Sequence, residues 1–179
     1  MKIAILQVGI VEQNVLKHLQ ESILKVFPQT ESVILKDVMM LPPEAYDPRR
    51  RQYHSGFLLN IIKENLGKTD VDKILGITTV DLYVPQLNFV FGEAEPSGKA
   101  AIISLYRREP EFYGKPVNQT LFLERAVKEA VHEIGHVVEL THCFNRSCVM
   151  SFSNAIGAVD VKRWEPCPKC SKRLLKLVR

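Results

Sequence analysis

The run His132-Glu133-Ile134-Gly135-His136-Val137-Val138-Glu139-Leu140-Thr141-His142-Cys143 constrains this chain more than any other stretch. It holds an H-E-x-x-H pattern and a further histidine six residues on. On a helix, His132 and His136 lie one turn apart on the same face. Two imidazoles so placed can share one zinc ion. His142, brought back by a turn, completes a three-histidine set that leaves one coordination position open. Glu133 adjoins the first of these residues and can hydrogen-bond a water there and take its proton. Such a set suits metal-assisted hydrolysis of an amide bond. Apolar residues at Leu123, Ala126, Val127, Ala130, Val131, Ile134, Val137 and Val138 keep a helical spacing of three and four. The motif is therefore expected in the second half of a long amphipathic helix, capped by Asn118 or Thr120. The opposing reading makes the histidines ordinary core or surface residues, but three of the chain's five cluster here.

The cysteines carry a second signal. There are four, Cys143, Cys148, Cys167 and Cys170, and all lie in the last quarter of the chain. Cys167-Pro168-Lys169-Cys170 has the C-x-x-C reach for two thiolates on one zinc, and the Cys143–Cys148 spacing also falls within structural-site range. A disulfide framework would be expected to staple more of the chain, and a redox role for Cys167 and Cys170 lacks a thioredoxin-like setting. A four-cysteine structural zinc is the favoured reading. His142 and Cys143 are neighbours, so a zinc that fixes Cys143 would also fix the backbone that presents His142.

These motifs resemble those of the metzincin metallopeptidases and, within them, the archaemetzincins. The resemblance rests on the run from His132 to Cys143, on Cys143-Phe144-Asn145-Arg146-Ser147-Cys148-Val149-Met150, and on Cys167-x-x-Cys170. It implies that Met150 forms a methionine turn, an apolar floor beneath the zinc histidines; by itself Met150 reads as core filler. It also implies that Asn88 to Ala94 carries the edge strand above the cleft, with Phe89, Val90, Phe91 and Gly92 as substrate-binding residues. One departure stands out. Metzincins have glycine where this chain has Glu139, and glycine allows the positive φ that ends the helix and swings the third histidine to the metal. A glutamate there either accepts the left-handed conformation at a cost on the order of 1 kcal/mol, or the helix ends by another path. Its carboxylate could pair with a basic residue or compete for zinc. No tyrosine follows Met150.

The remaining sequence predicts a mixed α/β fold. Lys2 to Val8, Ser32 to Val38 and Lys73 to Thr79 read as strands, Gln13 to Phe27 and Arg50 to Leu66 as helices, the latter ending at Gly67. Phe89 to Ala94 and Lys99 to Leu105 flank a hairpin at Glu95-Pro96-Ser97-Gly98. Alternation of strand and helix predicts a twisted, mostly parallel sheet with an antiparallel edge strand, packed on helices that include the zinc helix. A chain of 179 residues, 46% hydrophobic and 25% charged, fits a single domain: an upper part over residues 1–138 and a lower part over 139–179 with the third histidine, Met150 and the cysteines.

No run reaches membrane-spanning length, and the start reads as a strand rather than an export signal. With reduced cysteines this gives a cytoplasmic expectation. The expected protein is a monomeric zinc metallopeptidase with two zinc ions, acting on a peptide or protein. The competing classes are a latent, zinc-stabilised peptide-binding protein and a nucleic-acid-associated zinc module. The net charge of +4 is mild, and its excess is late: Lys162, Arg163, Lys169, Lys172, Arg173, Lys176 and Arg179, against Glu165. Counterions for a zinc–thiolate centre explain that excess more simply than a nucleic-acid surface, because aromatic residues other than Trp164 are missing from it.

Overall fold

The computed structural model describes residues 1–67 and 69–178, which leaves Arg179 outside the described residues. The chain runs β1 (Lys2–Val8), α1 (Gln13–Val26), β2 (Glu31–Met39), β3 (Tyr46–Asp47), β4 (Gln52–His54), α2 (Ser55–Leu66), β5 (Lys73–Thr78), β6 (Leu82–Tyr83), β7 (Gly92–Ala94), β8 (Ala100–Ser104), α3 (Gln119–Val137), α4 (Ile156–Val161) and α5 (Pro168–Leu177). The main sheet has the order β2-β1-β5-β8-β7. Its pairs are parallel except β7–β8, which is antiparallel and forms one edge.

Side-chain alternation on the central strands explains why both sheet faces are covered. Ile3 and Ile5 of β1, Leu75 and Ile77 of β5, and Ala101 and Ile103 of β8 join one core with α1 and α3. Their neighbours Ala4, Leu6, Ile74, Ala100 and Ile102 enter a second core with Leu58, Leu59 and Ile62 of α2. A strand buried on both faces reads as an unbroken apolar run, as in Ile3-Ala4-Ile5-Leu6.

Two expectations are corrected. The second helix begins at Ser55, not Arg50, because Gln52–His54 pairs as a strand in a small sheet of order β3-β4-β6. Tyr53 N donates to Asp81 O at 2.8 Å, and the His54 ring accepts from Phe57 N at 3.1 Å, capping α2. Gly67 follows that helix at φ −61°, so no left-handed turn ends it. The edge strand is also shorter than Phe89 to Ala94. Val90 N donates to Leu82 O at 2.9 Å, which draws the preceding residues toward β6, and only Gly92–Ala94 pairs with β8. Among the described residues no helix is long and apolar enough to cross a membrane.

Candidate metal centre and cleft

Helix α3 begins at Asn118, whose side chain accepts from Leu121 N at 3.0 Å, and is buried from Arg125 almost to its end. His132 and His136 project from that buried half. The Nδ1–H of His132 donates to Val149 O at 2.8 Å, and the Nδ1–H of His136 donates to Leu140 O at 2.9 Å. A carbonyl only accepts, so each ring carries its proton on Nδ1 and turns a bare Nε2 inward. The two Nε2 atoms lie 3.1 Å apart. His142 joins them, one ring nitrogen from each of the three lying within 4.8 Å of the others. Tetrahedral zinc–imidazole geometry, with bonds of about 2.0–2.1 Å, requires such an approach. Burial lowers the pKa of His132 well below the ordinary histidine value, and it lowers those of His136 and His142. The rings are thus neutral near neutral pH and need shed no proton to bind a metal.

The third histidine returns through a tight turn. Glu139 N donates to His136 O at 3.0 Å, and Leu140 N donates to Gly135 O at 2.8 Å, the paired bonds of a Schellman motif. Glu139 occupies its left-handed position at φ +70°. The turn is therefore the one glycine would make, formed by a glutamate. The Glu139 side chain is exposed and lies outside the metal-binding groups. Its charge acts on Lys73, whose ammonium donates to Val137 O at 3.3 Å at the end of the helix.

Below the histidine helix, Met150 is fully buried. A Cβ on Gly135 would lie 2.4 Å from the Met150 sulfur, so any larger residue there would require the buried methionine side chain to shift. Cys143 N donates to Met150 O at 2.9 Å and ties the loop after His142 to the same residue.

The four cysteines also converge, their sulfurs within 4.8 Å of one another. All are free thiols, and Cys143 and Cys167 sit 3.8 Å apart. That exceeds a disulfide bond and matches the edge of a tetrahedron with zinc–sulfur bonds of about 2.3 Å. Cys167 caps the start of α5, and its own N–H donates to Cys148 Sγ at 3.2 Å. Burial opposes thiolate formation at Cys167, but the Cys170 N–H and the neighbouring thiols outweigh it and bring the pKa down to about 7. Burial pushes the Cys148 thiol up.

A cleft of about 510 Å³ opens over the histidines. Phe89, Val90, Phe91 and Gly92 line it, and Phe89, Val90 and Phe91 precede β7 rather than lie in it. Gly92 lies against Glu133: a Cβ there would come within 2.9 Å of Glu133 Cγ. His54 is elsewhere, in a separate pocket beyond the edge strand.

Sequence reasoning missed three charged residues at or beneath the cleft floor. Glu129, one turn before Glu133 on the same helix face, lines it and could have been found from that spacing. Arg108, fully buried over the Phe91 ring, ion-pairs with Glu129 at 2.7 Å. Lys162, expected among the thiolate counterions, instead lines the cleft and donates to Val149 O at 3.2 Å. Burial and the neighbouring Glu129 hold the Glu133 carboxyl well above its ordinary pKa, and burial lowers that of Lys162 to about 8.

Neutral imidazoles gathered beside a buried carboxylate, at the foot of a cleft open along a strand edge, are equipped to cut amide bonds. This is a zinc metallopeptidase. The chain matches peptidase family M54 over residues 4–176. It is 48% identical over 174 residues to an archaemetzincin of Methanocaldococcus jannaschii, covering 97% of this chain and 93% of that one. The crystal structure of an archaemetzincin from Methanopyrus kandleri superposes with a TM-score of 0.86 at 33% identity, over 99% of this chain and 95% of that one. That of an archaemetzincin from Archaeoglobus fulgidus, complexed with malonate, gives 0.82 at 37% identity, over 97% and 99%. The chain belongs to peptidase family M54, the archaemetzincins.

Two substitutions test the local geometry. Gly135→Ala should lower unfolding stability by about 1–3 kcal/mol in denaturant titrations, because the new methyl meets Met150; a neutral effect would mean that the methionine yields freely. Glu139→Gly should relieve left-handed strain of about 1 kcal/mol but add unfolded-state entropy of similar size. Stability should therefore change by less than about 1 kcal/mol, while metal affinity at the histidines holds or rises. Weaker metal binding in that variant would show that the glutamate itself supports the site.

Proposed function

We propose that this protein hydrolyses peptide bonds at a zinc held by His132, His136 and His142, with Glu133 as general base. A second, structural zinc is held by Cys143, Cys148, Cys167 and Cys170. The observation that carries the reading is the convergence of the three histidines, with the rings of His132 and His136 oriented by carbonyls so that both Nε2 atoms turn to one point beside Glu133. Both donor sets fit the metal: three nitrogens leave a position for reaction, and four sulfurs close a site. A zinc ion at the histidines would supply Lewis acidity, which acidifies water and polarises a carbonyl.

The chain's own residues perform the remaining work. Glu133 lies next to His132 and faces the cleft, where its carboxylate can take a proton from the attacking water and return it to the leaving amine. Burial and Glu129 hold this carboxyl well above its ordinary pKa, and a cation held at His132, His136 and His142 would favour its ionised, basic form. Gly92 keeps the strand edge close to Glu133, so a peptide laid along β7 would bring its scissile carbonyl carbon within reach of a water activated by that carboxylate. Met150 supports His132 and His136 from beneath through Gly135. The protein is proposed to act as a monomer in the cytoplasm.

Glu133→Ala should retain two zinc ions per chain by elemental analysis and lose peptide cleavage by at least about a hundredfold. Cleavage at the parent rate would remove Glu133 from the mechanism. Cys167→Ser should lose one zinc and lower the melting temperature by more than about 5 °C. Unchanged zinc content and melting would leave the thiols without a structural role.

A further inference from the structure

Lys162 is unusual in position and company. It is 4% exposed, yet it lines the cleft rather than the protein core. Among the described residues its ammonium makes one hydrogen bond, to Val149 O, and no ion pair. The two carboxylates nearest it in the cleft are otherwise engaged: Glu129 pairs with Arg108, and Glu133 serves the reaction. Two ammonium N–H groups are therefore available to a ligand.

Its backbone is fixed from both sides. Asp160, two residues earlier, accepts a bidentate ion pair from the fully buried Arg125 of α3, both bonds at 2.7 Å. Arg163 N, one residue later, donates to Ser147 O at 2.8 Å. A buried ammonium on a fixed backbone, itself bonded to Val149 O, has fewer conformations left to lose when a ligand arrives.

Position also decides what it can contact. Lys162 and the His132 Nδ1–H share the Val149 oxygen, so the ammonium lies on the far side of the imidazole from the edge that meets His136. Lys162 and the three histidines line the same cleft, so a peptide held over the histidines can bring a neighbouring side chain to the ammonium. The walls above it, at Leu87, Phe89, Val90 and Phe91, are apolar and suit an aliphatic stem.

We propose that Lys162 is a specificity-determining residue that binds a substrate carboxylate at the floor of this cleft, selecting peptides with an acidic group on the residue beside the scissile bond. The inference rests on cleavage at the histidine site. An aspartate or glutamate side chain or a terminal carboxylate offers the same chemistry, and the test separates them.

Peptides differing only as Glu against Gln beside the cleaved bond, each as free acid and as C-terminal amide, would be compared as substrates. The same peptides would be titrated by calorimetry into Glu133→Gln protein, a readout independent of turnover. The Glu peptides should be preferred by about tenfold or more, since a charge-assisted hydrogen bond is worth roughly 1.5–3 kcal/mol. Lys162→Met should erase the preference in both measurements. Lys162→Arg should restore part of it. Lys162→Gln, which keeps a donor for Val149 O, guards against simple misfolding and should behave like Lys162→Met. A preference that follows the free C-terminus would assign the carboxylate to the chain end, and one that survives amidation would assign it to the side chain. Equal treatment of Glu and Gln peptides by the parent, or a preference untouched in Lys162→Met, overturns the proposal. Absence of any cleavage with intact calorimetric selectivity would refute the peptidase reading alone and leave the carboxylate site standing.

Discussion

The carbonyl oxygen of Val149 is the point on which the catalytic end of this molecule depends. It accepts from the His132 ring and from Lys162, and so fixes both the face His132 turns to a metal and the place of the cleft's ammonium. Its residue stands between Cys148 and Met150, with the thiol cluster on one side and the apolar support of the histidine helix on the other. Val149 N is held in turn by Glu165 O at 3.3 Å. A shift of this one peptide would disturb every feature around it, which is why the segment is fully buried over residues 148–150. Buried polar groups that share a partner act as a unit, and their contributions do not separate into pairs.

The cleft floor shows how charge is accommodated where water is scarce. Arg108, Glu129, Glu133 and Lys162 bring two basic and two acidic groups together. Burial acts against each charge: Arg108 and Glu129 answer it by pairing, and the Glu133 carboxyl by holding its proton more tightly. The arrangement keeps the proton affinity of the Glu133 carboxyl high.

Much of this was legible in the sequence, and the limits are physical. The helix-period spacing of His132 and His136, the two cysteine pairs and the strand–helix alternation are local signals, and the structure gathers those residues as their spacing suggested. The sequence left two paths open at Glu139, and the structure takes the left-handed one, at φ +70°. By contrast, Lys162 and Arg108 carry no local mark: each is a basic residue in a segment whose folding is set by tertiary partners, here Arg125 with Asp160 and Phe91 with Glu129. The start of α2 was misplaced because Gln52 and Tyr53 bond to Asp81, nearly thirty residues away, and that pairing overrides helix propensity. The edge strand was drawn too long because its early residues look like strand but bond to a different sheet.

His142 and Cys143 share one peptide unit. A metal that orders that unit from the thiol side lessens the ordering still to be done from the imidazole side. Thermodynamic linkage makes the effect mutual: whatever factor a filled cysteine site adds to affinity at the histidines, filled histidines must add to affinity at the cysteines. Were both sites to take zinc, they would load as a cooperative pair, and the half-loaded protein would be the scarce species at intermediate zinc supply.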